Sequence, residues 1–399
     1  MMKIGIIVRR LNTKGGVQRQ ALSLANELHQ RGHKILIYTF NYSPENCFPE
    51  LVGNVPIIEL PKEKNLPTAG FFGFLNENKM AKELAFLIDR NLDILHPHDN
   101  VAYKVAYYFK KYIKNIPSIW QMNEFPTMRW PLELLKYTGD QKFHDIPKKP
   151  YFIKKAVILI KTHYENFFIK KQNAITVFDK FHQKLLKRYG GCESYVVPSG
   201  IDVNHFNFQK HEPPKKGEKI LLLSSGIFMS YRRYEDIFFA MEKLVNSGFN
   251  LYLTIFGDYE TNKKYFRTLN ELANSLKITD RIKFFGRYSD KELEEAFAKS
   301  HIFIYPHLQS QGLAVYEAMA CGLPCVVTPL CETYETLTDK KDVMFAEPKN
   351  PNSLAQAIRN LCENPKLYCQ ISEQGRKTVE KFSWKKYADG ILEIMEKMN

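Results

Sequence analysis

The sequence predicts an α/β protein made of two doubly wound parallel-sheet domains in tandem, and three observations carry that prediction. Short apolar runs alternate with helical patterns along almost the whole chain, the rhythm of a parallel sheet covered on both faces. The rhythm starts twice, at KIGIIV (3–8) and at KILLLSSG (219–226), on either side of the polar, proline-bearing stretch NFQKHEPPKKGEK (207–219). The length of 399 residues also exceeds what one ordinary core holds. The domains are expected at 1–200 and 201–379, with a final helix from about 380 to 399 packing back onto the first.

In the first half, KIGIIV is followed by the turn NTKGG (12–16) and the helical pattern VQRQALSLANELHQRGH, which closes on Gly32. KILIYTF (34–40) and VPIIEL (55–60) read as strands, MAKELAFLIDRN (80–91) as a helix, and DILHPH (93–98) as a strand. A helix near 101–113 precedes the strands PSIWQM (117–122), AITVFD (174–179) and SYVVPS (194–199). The second half alternates in the same way. The strands KILLLSSG, NLYLTIFG (250–257), RIKFFG (281–286), HIFIYP (301–306) and PCVVTP (324–329) are separated by helical patterns at 235–248, 266–276, 290–300 and 315–322. Asp290 stands at the start of one of them, where N-caps favour it. The chain ends in the helical patterns NPNSLAQAIRNL and FSWKKYADGILEIMEKM.

Hydrophobic residues make up 44% and charged residues 25%, which excludes wholesale disorder. No run of about 18 apolar residues is present. The apolar stretch before Arg9 and Arg10 is too short for a signal-peptide core, so a cytoplasmic location is expected, with peripheral attachment to the inner membrane face as its variant. The seven cysteines are expected as free thiols.

The net charge of +14 is uneven: residues 1–200 carry 30 Lys and Arg against 17 Asp and Glu, and residues 201–399 carry 27 against 26. The basic half is either a surface that meets an anionic partner or a solvated face that keeps the protein soluble, and charge alone does not choose. KKPYFIKKAVILIKTHYENFFIKKQ (148–172) sharpens the question. As a helix it would carry Phe152, Val157, Ile160 and Phe168 on an apolar side, with lysines snorkelling at the edges. It reads either as a packed amphipathic helix or as a contact with anionic membrane.

In open parallel sheets ligands bind beyond the carboxyl ends of the strands, so two tandem sheets predict a cleft between domains. Thr13-Lys14-Gly15-Gly16 lies between the first strand and helix, where glycine lets the backbone approach a phosphate. It matches neither a dinucleotide fingerprint nor a Walker loop. Ser230-Tyr231-Arg232-Arg233 follows KILLLSSG, and two adjacent guanidiniums there can clamp a diphosphate, or else bond to Glu235 and Asp236. Gln311-Gly312-Leu313 precedes the helix of Glu317, whose carboxylate can accept from two sugar hydroxyls or simply answer the helix dipole.

Together these stretches resemble the retaining glycosyltransferases of family 4, with the GT-B architecture of two Rossmann-like domains facing a central cleft. GLAVYEAMACGLPCVVT (312–328) is similar to the segment around the family's E-x7-E motif. VVPSGIDVNHF (196–206), LTIFGD (253–258), RIKFFGRYSDKELEEAFAKSHIFIYP (281–306), FSW (382–384) and the opening GGVQRQALSLANELHQRGH (15–33) fall in family order. The resemblance implies a UDP- or GDP-sugar donor held mainly by the C-terminal domain, and no cofactor. It gives Glu317 the nucleotide ribose, Gly312 and Leu313 the backbone facing diphosphate and sugar, and Tyr288 a place near the base. Gly226, Gly257, Gln311 and Ala314 belong to the same donor-binding set, with Gly15 and Gly16 near the phosphates from the N-terminal domain. His98, in DILHPH, is placed facing the donor sugar and acceptor.

The sequence departs from the family pattern at three places. Gln309 stands where the first glutamate of E-x7-E contacts the transferred sugar, and a neutral amide cannot stabilise positive charge as a carboxylate does. The G-R-x4-K phosphate clamp reads Gly226-Ile227…Arg232-Arg233. Asn123 and Glu124, in WQMNEFP, replace the histidine before the acceptor loop and become the acceptor-binding candidates beside His98.

No D-x-D occurs, so arginines and glycine-loop amides are expected to neutralise the leaving diphosphate without a metal ion. With no protein nucleophile evident, retention implies same-face transfer, the leaving phosphate helping to deprotonate the acceptor hydroxyl. The expected acceptor is a glycan or a lipid-linked sugar of cell-surface polysaccharide or glycolipid, with domain closure hinged near 200–215 and at the last helix. Three other functions stand beside this one: a sugar epimerase or phosphorylase of the same fold, a donor-binding protein weakened by Gln309, and a nucleic-acid binder. The last lacks any recognition motif, and no nucleic-acid partner is expected.

Overall fold

A computed structural model describes residues 1–53, 55–65, 73–123, 151–203, 205–308, 312–330 and 335–398, and of 151–158 the backbone alone. Two compact units emerge: one gathers described residues of 1–123, 151–200 and the terminal segment from Trp384, the other those of 201–383.

The first unit runs β1 (Lys3–Val8), α1 (Gly16–Gln30), β2 (Lys34–Thr39), α2 (Pro49–Val52), β3 (Ile57–Glu59), α3 (Gly73–Phe86), β4 (Ile94–His98), α4 (Ala102–Tyr112), β5 (Ile119–Gln121), α5 (Tyr151–Ile169), β6 (Ala174–Val177), α6 (Lys180–Leu185) and β7 (Tyr195–Val196). Its strands are parallel in the order β3-β2-β1-β4-β5-β6-β7, so the direction of winding reverses between β1 and β4. Alternation along β1 serves both faces. Ile4, Ile6 and Val8 join the core under α1, and Ile7 joins the one under α3 and α4.

In the second unit β8 (Ile220–Ser225), α7 (Tyr234–Asn246), β9 (Leu251–Phe256), α8 (Lys263–Ser275), β10 (Ile282–Gly286), α9 (Asp290–Lys299), β11 (Ile302–Tyr305), α10 (Leu313–Ala320), β12 (Cys325–Val327), β13 (Met344–Phe345), α11 (Pro351–Glu363) and α12 (Pro365–Val379) follow in order. The parallel sheet reads β10-β9-β8-β11-β12-β13 and reverses between β8 and β11. Along β11 Ile302 and Ile304 face one core, and Phe303 and Tyr305 the other. Helix α9 is capped one residue earlier than its sequence suggests: Ser289 and Glu292 form a reciprocal capping box, which leaves Asp290 as the first helical residue.

Helix α13 (Trp384–Glu396) belongs to the first unit and packs against α1. Trp384, Tyr387, Ala388 and Ile391 enter the β1 core, Arg31 pairs with Asp389 at 2.7 Å, and the Tyr387 hydroxyl donates to Gln121 Oε1 at 3.0 Å. Helix α5 is held by a buried charge network. The fully buried Lys104 of α4 donates to Glu165 Oε1 at 3.0 Å and lies 3.5 Å from Glu77 of α3, while the Tyr103 hydroxyl donates to Glu165 Oε2 at 2.6 Å. Such a charge is tolerable inside only because every partner is in place.

The expectation of one apolar side on α5 needs correcting. Phe168 is buried in the aromatic core with Tyr103 and Trp120, whereas Ile160 is 71% exposed. Only one of the two is therefore packed inside, and the side chains of Phe152 and Val157 lie outside the described residues. Among the described residues no helix is long and apolar enough to cross a membrane, and Cys47, Cys321 and Cys325 are buried free thiols.

Candidate functional site

The carboxyl ends of β8, β9 and β10 are joined by glycine main chain. Gly226 N–H donates to Phe256 O at 2.9 Å and Gly257 N–H to Gly286 O at 3.0 Å. Gly226 and Gly257 have φ of 146° and 155°, outside the range of ordinary side chains. A Cβ at Gly257 would overlap the Gly226 carbonyl oxygen, so the backbone here approaches as closely as glycine alone permits. The Tyr234 hydroxyl also donates to that carbonyl, at 3.1 Å.

Against this glycine corner lies Arg232. Its Nε sits 3.2 Å from where a Gly226 Cβ would be, and its guanidinium lies 4.9 Å over the Tyr305 ring. Nε and Nη1 are buried and have no hydrogen-bond partner among the described residues. A guanidinium N–H withdrawn from water and left unpaired is costly, so the arrangement is complementary to an anion. Ile227, where the family pattern has arginine, is exposed beside it.

Arg233 behaves differently from its neighbour. Its backbone is left-handed (φ 55°), which turns the side chain inward. Nε and Nη2 donate to Asp236 at 2.9 and 2.7 Å, and Nη1 lies 2.8 Å from Glu235 Oε1. Burial pushes the Glu235 carboxyl up to about 7, Arg233 opposing it. Of the two readings of this pair, bonding to Glu235 and Asp236 describes Arg233; its donors are taken, and it shapes the turn that presents Arg232.

Helix α10 begins at Gly312 with no side-chain cap and no acidic residue in its first turn, which contains Leu313 and Ala314. A Cβ at Gly312 would lie 2.8 Å from the Tyr305 ring, so this helix start abuts the aromatic that carries Arg232. Glu317 is buried one turn further on. Tyr288, after β10, is half-buried edge-on to Phe256, whose ring stacks on Phe285 at 4.3 Å. Thus Arg232 and Gly312 meet at Tyr305, Gly226 lies against Arg232 and Gly257 against Gly226, while Tyr288 and Glu317 stand on adjoining elements. Gln309 and Gln311 lie outside the described residues.

In the first unit the corresponding reversal point lies between β1 and β4. Gly15 caps α1 in extended backbone (φ −170°) and Gly16 opens it, again with no side-chain cap and no first-turn acid. His98 ends β4, fully buried and edge-on to His96 at 4.4 Å, with neither ring nitrogen partnered among the described residues. Burial, then the neighbouring His96, holds it well below the usual histidine value, so it is a neutral imidazole at pH 7. The chain then passes through Asp99 (φ 68°) and Val101 (φ 72°), the latter a strained conformation for a β-branched residue. Asn123 donates to Gln20 Oε1 at 2.7 Å, while its own Oδ1 and the Gln20 Nε2 are buried without a partner among the described residues. Glu124 lies outside the described residues.

Sequence reading missed Gln20, Ser225, Tyr305 and His307. The Ser225 hydroxyl and His307 Nε2 are buried and unpartnered among the described residues. Both follow from applying the strand-end rule to β8 and β11 as well as to the glycine loops. Among the described residues no group of three or more His, Cys, Asp or Glu is placed to hold a metal ion.

Residues 14–205 match the model of Glycosyltransferase Family 4, and residues 205–378 match that of Glycosyl transferases group 1. Mannosylfructose-phosphate synthase of Agrobacterium fabrum is 20% identical over 96% of this chain and 86% of its own. Phosphatidyl-myo-inositol mannosyltransferase of Mycobacterium leprae is 22% identical over 99% and 96%. The sucrose-phosphate synthase of Thermosynechococcus elongatus superposes with a TM-score of 0.79 at 16% identity, covering 100% of this chain and 99% of that one. Anabaena HepE in complex with UDP-glucose gives 0.76 at 14% identity, covering 100% of both.

Proposed function

The chain belongs to the family 4 glycosyltransferases with the GT-B fold, and from that premise we propose that it transfers a sugar, with retention and without a metal ion, from a UDP- or GDP-sugar to a hydroxyl of a glycan or lipid-linked acceptor. The observation that carries the donor half is Arg232, with two buried donor atoms unpartnered among the described residues, against a glycine corner at the winding reversal of the C-terminal sheet. A pyrophosphate there gains charge-assisted hydrogen bonds from the guanidinium. The first-turn amides and dipole of α10 add to this from Leu313 and Ala314. HepE, a fold neighbour, is solved with UDP-glucose.

In this reading the residues hold the leaving group rather than attack. Arg232 and the α10 amides take up the charge that grows on the departing diphosphate, and a leaving-phosphate oxygen accepts the proton of the attacking hydroxyl on the same face. Glu317 accepts from the ribose hydroxyls, and Tyr288 lies along the base. Within the N-terminal unit, neutral His98 offers one ring N–H and one bare nitrogen to acceptor hydroxyls.

A thermal-shift screen of UDP-glucose, UDP-galactose, UDP-N-acetylglucosamine and GDP-mannose tests the reading. At least one should raise the melting temperature, and a flat response to all would sink it. Glu317→Ala should weaken the responding donor by about 1–3 kcal/mol, measured calorimetrically. Activity should be unchanged by EDTA.

The basic unit supports a further partner, an anionic membrane surface. Phe74, Leu75 and Phe86 of α3, Tyr112 of α4, and Leu159, Ile160 and Phe167 of α5 are exposed. Lysines lie over two of these rings: Lys82 and Lys111 over Tyr112 at 4.8 and 5.1 Å, and Lys171 over Phe167 at 5.9 Å. Apolar side chains rimmed by cations suit an anionic bilayer. The protein should float with phosphatidylglycerol vesicles at low salt and be released at high salt. Absence of flotation at low salt would leave the lysines as a solubilising face.

A further inference from the structure

His307 sits immediately beyond β11 and is 1% exposed. Its ring packs on Tyr305 at 4.4 Å, on whose ring Arg232 also rests at 4.9 Å. The tautomer follows from its neighbours. Nδ1 lies 3.2 Å from the Tyr305 carbonyl oxygen, which can only accept, and 3.4 Å from Thr328 Oγ1, whose proton goes to the His307 carbonyl. Nδ1 therefore carries the hydrogen and Nε2 is bare. That nitrogen is buried, points away from both acceptors, and has no partner among the described residues.

Two unsatisfied groups of opposite need thus share one aromatic platform: a guanidinium lacking acceptors and an imidazole nitrogen lacking a donor. They do not bond to each other, because His307 Nε2 has no partner among the described residues. A phosphate group resolves both, provided Nε2 gains a proton. Among the described residues the ring meets Tyr305 from β11 and Thr328 from the end of β12, and Arg232 from the turn after β8 rests on the same Tyr305 ring. Among the described residues Arg232 is the one charge acting on it. The carboxylates of Glu235 and Asp236 are engaged by Arg233. Burial first, and Arg232 second, hold His307 well below the usual histidine value while the site is empty. A diphosphate on Arg232 cancels that second influence and adds an acceptor.

We propose that His307 is a proton-dependent second ligand of the donor diphosphate: it is neutral while the site is empty, takes one proton from solvent at Nε2 as the diphosphate binds, and donates that hydrogen to a phosphate oxygen. The step is balanced: site, diphosphate and one proton from the buffer give the complex of imidazolium and diphosphate, with no change in oxidation state. The proposal rests on reading this corner as the nucleotide-sugar site. A proton held on the leaving group's side also favours departure of the diphosphate, so His307 is a ligand whose protonation tunes donor affinity.

The test is calorimetric titration of the full chain with UDP-glucose and with GDP-mannose from pH 5.5 to 8.5, in buffers of different ionisation enthalpy. Their diphosphate diesters have no ionisation near neutrality, so protons taken up belong to the protein. Wild type should take up close to one proton at the pH of steepest dependence, and affinity should rise by up to tenfold per pH unit as pH falls. His307→Gln and His307→Asn should bind with pH-independent affinity and no uptake, and should lose most of the advantage at pH 6 and little at pH 8.5. Binding without uptake in wild type overturns the proposal, and this count needs no variant to fold. Uptake that persists in both variants also overturns it and assigns the proton to a group other than His307. Failure of both sugars to bind at every pH overturns the nucleotide-sugar reading for these donors and the proposal with it, an outcome distinct from binding without proton linkage.

Discussion

Replacing Arg232 with alanine should weaken nucleotide-sugar binding by about a hundredfold while leaving the apo protein as stable as before. Each charge-assisted hydrogen bond is worth about 1.5–3 kcal/mol, and among the described residues Arg232 offers two buried donor atoms with no partner, so its loss removes affinity and breaks no hydrogen bond of the guanidinium, only its contact over the Tyr305 ring. In the empty site the unpaired guanidinium is a cost, so the variant should melt no lower than wild type in the absence of ligand. Arg232→Lys should recover part of the affinity, because an ammonium keeps the charge and loses the planar fork. Arg233→Ala should do the reverse, lowering stability because it leaves Glu235 and Asp236 buried without their cation. Calorimetric affinity and melting temperature measured on the same samples separate the two. Unchanged affinity in Arg232→Ala would remove the pyrophosphate from this corner.

Gly257→Ala should cost the C-terminal unit about 3 kcal/mol or more. Two penalties combine: a φ of 155° that other residues avoid, and a Cβ placed on the Gly226 carbonyl oxygen, which is backbone and cannot swing aside. The matched control is Gly248→Ala, where φ is also positive (91°) but a Cβ meets nothing within 4 Å, so only the conformational penalty of about 1 kcal/mol applies. Trp120, Trp130 and Trp384 all lie outside 201–383, so tryptophan emission does not report on this unit. Urea unfolding should be followed by circular dichroism, or by hydrogen exchange of β8 and β9. Equal losses in the two variants would show that the close approach contributes nothing. Because Gly226 carries the Arg232 contact, Gly257→Ala should also weaken donor binding beyond its effect on stability.

The strands were legible because buried parallel strands are short continuous apolar runs, and KIGIIV, KILIYTF, NLYLTIFG and HIFIYP all became β1, β2, β9 and β11. Helix α12 was not, and the reason is visible in its buried positions. Ser372, Gly375 and Thr378 face inward beside Tyr368, Ile371 and Val379, so small and polar residues break the apolar period. β13, of two residues, is too short to leave a pattern at all. Within the site, the glycines were legible as glycines after strands. Their overlap with one another was not, since Gly226 and Gly257 are distant in sequence and meet only through the β8–β9 pairing.

Fold class, tandem organisation, family and the strand-end position of the glycine loops were written in the linear pattern, because apolar periodicity and glycine placement are local properties that each segment carries wherever it packs. The tertiary structure alone separated Arg232 from Arg233, which are identical and adjacent in the chain. One left-handed residue delivers Arg233 to buried carboxylates and leaves Arg232 with hydrogen-bond demand unmet among the described residues. The same holds for His307, whose importance rests on what it lacks. Burial decides whether a polar atom is satisfied by water or left waiting for a ligand, and burial is a property of the packed chain.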